Sequence, residues 1–158
     1  MNIKYELNSP SNDKHLVGLT RISNLDFTKL KTRISEKGDE TIADLDHAEM
    51  EYKRFLTLIL LYPQERIVPT KEMDHFWHAH ILDTRNYVKD TNEILGSYLH
   101  HDPYFGGLNG NRQDWELAFK RTGDLYRAVF NEPLLDSKSD CAGDNSGAGY
   151  CCANSNDY

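Results

Sequence analysis

Apolar residues recur every three or four positions through most of the chain up to residue 135, which is the period of amphipathic helices rather than of strands. Leu16, Val17, Leu19 and Ile22 mark the start of a short helix, preceded by a polar turn from Asn8 to Asp13. Phe27, Leu30 and Ile34 follow Asn24 or Asp26 as a cap and stop at Gly38, which predicts a helix over about 26 to 37. The longest stripe runs through Ile42, Leu45, Ala48, Tyr52, Phe55 and Ile59, with Asp39 or Thr41 as its cap and Pro63 as its stop. Its acidic first turns, with Glu40 and Asp44, suit the positive end of a helix dipole. Its second half, LTLILLY, is apolar on every side, so this helix is expected at the hub of the core.

Thr70 is a suitable N-cap for a third clear helix, with Glu72 in the first turn. Asp83 offers a second cap before Thr84, so the helix is expected to break at 82 or 83 and restart through Tyr87, Val88, Ile94 and Leu95 to Gly96. The following SYLHHDPYFGGLNGN reads as a loop, because Pro103 pushes the residue before it out of helical geometry and three glycines follow. A last helix, about 112 to 131, places Trp115, Phe119, Thr122, Tyr126 and Val129 on one stripe, weakened at Gly123 by about 1 kcal/mol relative to alanine. The expected architecture is all-α: a single compact domain of five or six helices over residues 1–136, followed by a disordered Gly/Ser/Asn/Cys tail over 137–158 whose composition buries too little apolar surface to offset its ordering entropy.

Charge narrows the partners. With 25 acidic against 18 basic residues and a formal charge of -7, the chain is poorly suited to phosphate backbones, so nucleic acid is not expected as a partner. Neither is a membrane: the start MNIKYELNSPSNDK lacks the apolar core of a secretory signal, and the best apolar run, Phe55 to Tyr62, is too short to span a bilayer. A cytoplasmic location follows as the expectation. The three cysteines, Cys141, Cys151 and Cys152, all lie in the tail and are odd in number, which argues against a disulfide scaffold for the fold.

Five of the seven histidines fall between residues 70 and 105. On a helix, side chains three or four apart share a face, which pairs Asp74 with His78 and His75 with His78. His78 and His80 are separated by roughly 200° around a regular helix and cannot both point at one centre unless the helix loosens. The loop cluster His100-His101-Asp102 supplies a ligand from a distant element. Asp74, His78 and one of His100 or His101 would form a two-histidine, one-carboxylate set suited to zinc or iron, with His80 or His100 as a fourth ligand. The same residues have another use: Asp74 could bond the helix amides or the His78 ring, and the loop histidines could bond backbone carbonyls. Trp77 reads as a core anchor, His15 and His47 as surface or packing residues, and Asp90 and Glu93 as carboxylates that are either solvated or support the histidines. No serine sits in a nucleophile turn and no glycine-rich phosphate loop follows a strand.

The pattern D-x-x-W-H-x-H at Asp74, Trp77, His78 and His80, followed by Tyr87, Asp90, Gly96, Leu99 and His101-Asp102, resembles the glycine-rich domain-containing protein family, a domain of unknown function. The resemblance implies a helical domain whose shared polar residues are Asp74, His78, His80 and His101, and it brings no reaction or cofactor. The chain is thus expected to bind a divalent metal, zinc or iron, at a helix corner through Asp74, His78, His80, His101 and His100, with enzymatic action on a small molecule left open. Two alternatives stand beside it. One is a non-enzymatic module that presents the aromatic loop Tyr98 to Phe105 to a protein partner. The other is a carrier whose Cys141, Cys151 and Cys152 capture metal or are modified by another enzyme.

Overall fold

A computed structural model describes residues 10–37, 44–106, 112–135 and 152–154. Six helices account for nearly all of it: α1 Pro10–Ser23, α2 Thr28–Glu36, α3 Leu45–Leu61, α4 Lys71–Leu82, α5 Thr84–Leu95 and α6 Arg112–Phe130. A short strand, β1 His100–Asp102, sits between α5 and α6 and pairs antiparallel with β2, Cys152–Asn154. The all-α class expected from the periodicity is what the chain adopts.

Helix α3 is the hub. Ala48, Tyr52, Phe55 and Ile59 lie on its buried stripe as expected, and Leu56, Leu58 and Leu60 are buried as well, so its C-terminal half is enclosed on most sides. Helix α4 packs along it and contributes Met73, Phe76 and Trp77 to the same core. Helix α1 reaches α3 and α5 closely at Gly18, where a Cβ would come within 2.6 Å of Leu60 Cδ2 and 3.1 Å of the Ile94 carbonyl. Helix α6 is tied on by polar groups: Thr122 Oγ1 accepts from Val68 N at 2.9 Å, and the Tyr126 hydroxyl donates to Glu51 Oε1 at 2.8 Å.

Several boundaries differ from the sequence expectation. The first helix begins at Pro10, within the stretch expected to be a polar turn, because proline is well tolerated at a first helical position where its missing N–H is no loss. The second spans Thr28–Glu36 rather than 26 to 37, with Asp26 Oδ1 accepting from Thr28 N at 2.9 Å. The long helix starts at Leu45, and its cap is Asp44, which accepts from Asp46 N and His47 N. The expected caps Asp39 and Thr41 lie outside the described residues, as do Gly38 and Ile42. The loop expected over Ser97 to Asn111 contains β1, whose pairing partner is too distant in sequence for local pattern to reveal. Of the expected tail, residues 137–151 and 155–158 lie outside the described residues, including Cys141 and Cys151, while the backbone of Cys152–Asn154 forms β2.

Candidate metal centre

Thr70 starts the site. Its hydroxyl accepts from Met73 N at 3.3 Å and caps α4, which fixes the helix phase that turns Phe76 and Trp77 into the core and Asp74 and His78 along its edge. The chain then breaks at Asp83, as expected, although the Asp83 side chain makes no capping bond to the backbone. Its Oδ2 accepts from Asn86 Nδ2 at 2.8 Å instead. Helix α5 runs to Gly96, whose φ of 82° is the left-handed geometry that glycine adopts without strain, and the reversal delivers Leu99 and β1 back to α4.

A relay of buried hydrogen bonds sets the return. Trp77 Nε1 donates to the Tyr87 hydroxyl at 2.9 Å, and that hydroxyl donates to the Leu99 carbonyl at 2.6 Å. Trp77, Tyr87 and Leu99 are all fully buried. Two residues beyond Leu99, the His101 ring rests against Trp77 with centroids 4.7 Å apart.

Three ligand atoms meet there. His78 Nε2 and His101 Nε2 are 2.6 Å apart, and Asp74 Oδ1 lies 3.5 Å from each of them. Among the described residues this is the group that could hold a metal ion. A tetrahedral ion with ligand bonds of about 2.0 Å needs ligand atoms about 3.3 Å apart, so the triangle accepts one when the two rings part by less than about 1 Å. Asp74 Oδ1 is buried with no hydrogen-bond partner, an arrangement costly for a carboxylate alone and satisfied by a cation. Burial lowers the His78 pKa, and the neighbouring His101 and His75 add to the effect against the opposing Asp74 carboxylate. The neutral imidazole so favoured is the form that ligates metals. His78 is about half exposed on the outer side, 46% by side chain, leaving the centre open to water or a small ligand.

The other histidines are placed elsewhere. His80 is buried, with Nδ1 3.0 Å from the Tyr52 hydroxyl and Nε2 3.2 Å from Asp90 Oδ2, in keeping with the helical phase that separates it from His78. His100 is exposed and packs edge-on against Tyr98 at 4.8 Å, since alternate strand residues face opposite ways and His101 takes the inner side. His75 Nδ1 is buried without a hydrogen-bond partner and is outside the triangle. His47 is half exposed and meets Glu72 at 3.1 Å. Trp77 is the core anchor expected of it. Tyr52 and the Tyr87 hydroxyl are participants that periodicity assigned only to the core, because nothing in a sequence pattern distinguishes a buried tyrosine that bonds a histidine from one that merely packs.

Among the described residues no helix is long and apolar enough to cross a membrane. No solved structure matches the chain. Two curated relatives do, both from Arabidopsis thaliana: glycine-rich domain-containing protein 2, 30% identical over 120 residues and covering 65% of this chain, and glycine-rich domain-containing protein 1, 27% identical over 111 residues and covering 59%. The aligned regions are only 15% and 14% of those longer proteins. The family model described as UCP032817-like matches residues 19–124, a span that holds α2 to α5, β1 and every member of the triangle, and the chain therefore belongs to this family, with the glycine-rich domain-containing proteins as relatives.

Proposed function

We propose that the domain binds one divalent metal ion, zinc or iron(II), through Asp74 Oδ1, His78 Nε2 and His101 Nε2. The observation that carries this reading is the buried, unpartnered Asp74 oxygen 3.5 Å from both imidazole nitrogens. Imidazole and carboxylate donors suit either ion, and three protein ligands leave a position for water, whose pKa a bound cation lowers. A small substrate reaching the exposed side of His78 would meet that water, so hydrolysis or oxidation of a small molecule is the reaction class the site suits. Elemental analysis of purified protein tests the proposal: about one equivalent of metal is expected in the wild type and none in His78→Ala or His101→Ala. Metal-free wild type that also fails to take up zinc or iron(II) would overturn it.

A second reading involves the tail. Strand β2 pairs with the strand that carries His101, in the register His101 with Ala153 and Asp102 with Cys152. This brings the tail backbone alongside the strand that carries His101 and supports reading the tail thiols as an additional metal donor or as the target of a modifying enzyme. Intact mass of natively expressed protein checks it, with added mass on Cys141, Cys151 or Cys152 expected if the tail is modified.

A further inference from the structure

The second histidine of the W-H-x-H motif faces a different part of the molecule. A cavity of about 430 Å³ lies between the turn joining α1 to α2 and the adjoining parts of α4 and α5, with His80 and Asp90 on its wall. That volume is in the range of small-molecule pockets. His80 is 2% exposed and caged by the rings of Phe27, Tyr52 and Tyr87, whose centroids are 4.9, 5.8 and 5.1 Å from its own. An ionised carboxylate can only accept, so His80 Nε2 carries the proton given to Asp90 Oδ2, and Nδ1 accepts from the Tyr52 hydroxyl. The line Tyr52, His80, Asp90 thus runs from the core outward and ends on a carboxylate whose Oδ1 has no partner among the described residues.

The rest of the wall carries both signs. Asp26 is engaged by Thr28 and Asp83 by Asn86, and the Arg21 guanidinium donates to the Glu93 carbonyl. Lys29 and Lys89, also on the wall, are exposed and make no ion pair with the described residues. A purely anionic ligand would meet the carboxylates of Asp26, Asp83, Asp90 and Glu93, and a purely cationic one the charges of Arg21, Lys29 and Lys89. A ligand carrying one charge of each sign satisfies both sets. Filling the core alone would not need this arrangement, since burying an imidazole against a carboxylate is offset only by retained hydrogen bonds, and an apolar ring would do as well.

We infer that this cavity is a second site, separate from the metal triangle, in which Asp90, oriented by His80, receives the ammonium of a small zwitterion such as a free α-amino acid, while Lys29 and Lys89 meet its carboxylate. The phase of one helix would then serve two sites, with His78 turned to the ion and His80 turned to the cavity.

Calorimetric titration of the full chain, treated with chelator, against the common free amino acids tests this, with ethylamine and acetate as single-charge controls. At least one amino acid is expected to bind with a Kd of about 1 mM or tighter, and the controls are expected not to compete. Asp90→Asn is expected to weaken that binding about tenfold or more, since a hydrogen bond to a charged group is lost, and His78→Ala to leave it unchanged. Should Asp90→Asn fail to fold, Lys89→Gln on the surface of α5 supplies the second readout, with weakened binding again expected. Absence of binding by every amino acid, equal competition by a control, undiminished affinity in a folded Asp90→Asn or Lys89→Gln, or loss of binding in His78→Ala would each overturn the inference. Because the titration is run without metal, its failure leaves the metal reading standing, and failure of the metal reading leaves this one standing.

Discussion

His78 Nε2 lies 2.6 Å from His101 Nε2, although one residue stands on α4 and the other on β1. At that separation two neutral lone pairs repel, so one ring must donate a proton to the other or both must turn to a shared cation. Added zinc should therefore raise the thermal midpoint of the metal-free protein, by the equivalent of about 2.7 kcal/mol at a hundredfold excess over Kd, and chelator should reverse it. His78→Ala and His101→Ala should abolish the increment. Scanning fluorimetry with and without zinc reads this, and a midpoint that does not move speaks against the site.

Asp74 should show the opposite signs for folding and for binding. Its Oδ1 is buried without a donor, so Asp74→Asn should leave the metal-free protein as stable as the wild type or more stable by up to about 1 kcal/mol, while removing the zinc increment. A metal-free variant destabilised by clearly more than about 1 kcal/mol in urea would mark Asp74 as a structural hydrogen-bonding group instead.

The Tyr87 hydroxyl serves two buried partners at once. Tyr87→Phe leaves Trp77 Nε1 without an acceptor and the Leu99 carbonyl without this donor, which should cost about 2 to 4 kcal/mol in urea unfolding. Loosening Leu99 also frees β1, so zinc affinity should fall by about tenfold or more. Unchanged affinity in the folded variant would show that Trp77 packing alone positions His101.

Acid should destabilise the fold through His80. Burial lowers its pKa from 6.5 to about 4, against a small opposing effect from Asp83. Between those values the unfolded chain binds a proton that the folded one does not, so this contribution is complete above about pH 6.5 and is lost as pH falls towards about 4, amounting to about 3 kcal/mol. Asp90, whose pKa burial raises, keeps its proton more readily when folded and works the other way at the acid end. Urea midpoints measured from pH 8 to pH 4 should fall for the wild type and flatten for His80→Gln. Equal slopes would remove His80 as the cause.

Two glycines should respond with opposite signs. Gly123 lies inside α6 with open space where a Cβ would point, so Gly123→Ala should stabilise by about 0.5 to 1 kcal/mol. Gly18→Ala drives a methyl into Leu60 and towards the Ile94 carbonyl, and should cost about 1 to 3 kcal/mol. Paired urea titrations compare them directly.

The sequence alone determined the helical class, the hub role of the stripe through Tyr52 and Phe55, the Thr70 cap, the break at Asp83 and the stop at Gly96. All of these are set within a few residues by periodicity, capping chemistry or a φ that only glycine takes easily. Helical phase also separated His78 from His80 and joined His78 to Asp74. The family pattern already favoured His101 over His100, and the tertiary structure supplied the reason, which is the side of β1 that faces α4: His101 rests on Trp77 and His100 on Tyr98. Only the tertiary structure gave His80 its partners, Tyr52 on α3 and Asp90 on α5, which lie 28 and 10 residues away along the chain. A single sequence carries no record of such encounters, since they arise from how separately stable helices pack rather than from any local preference.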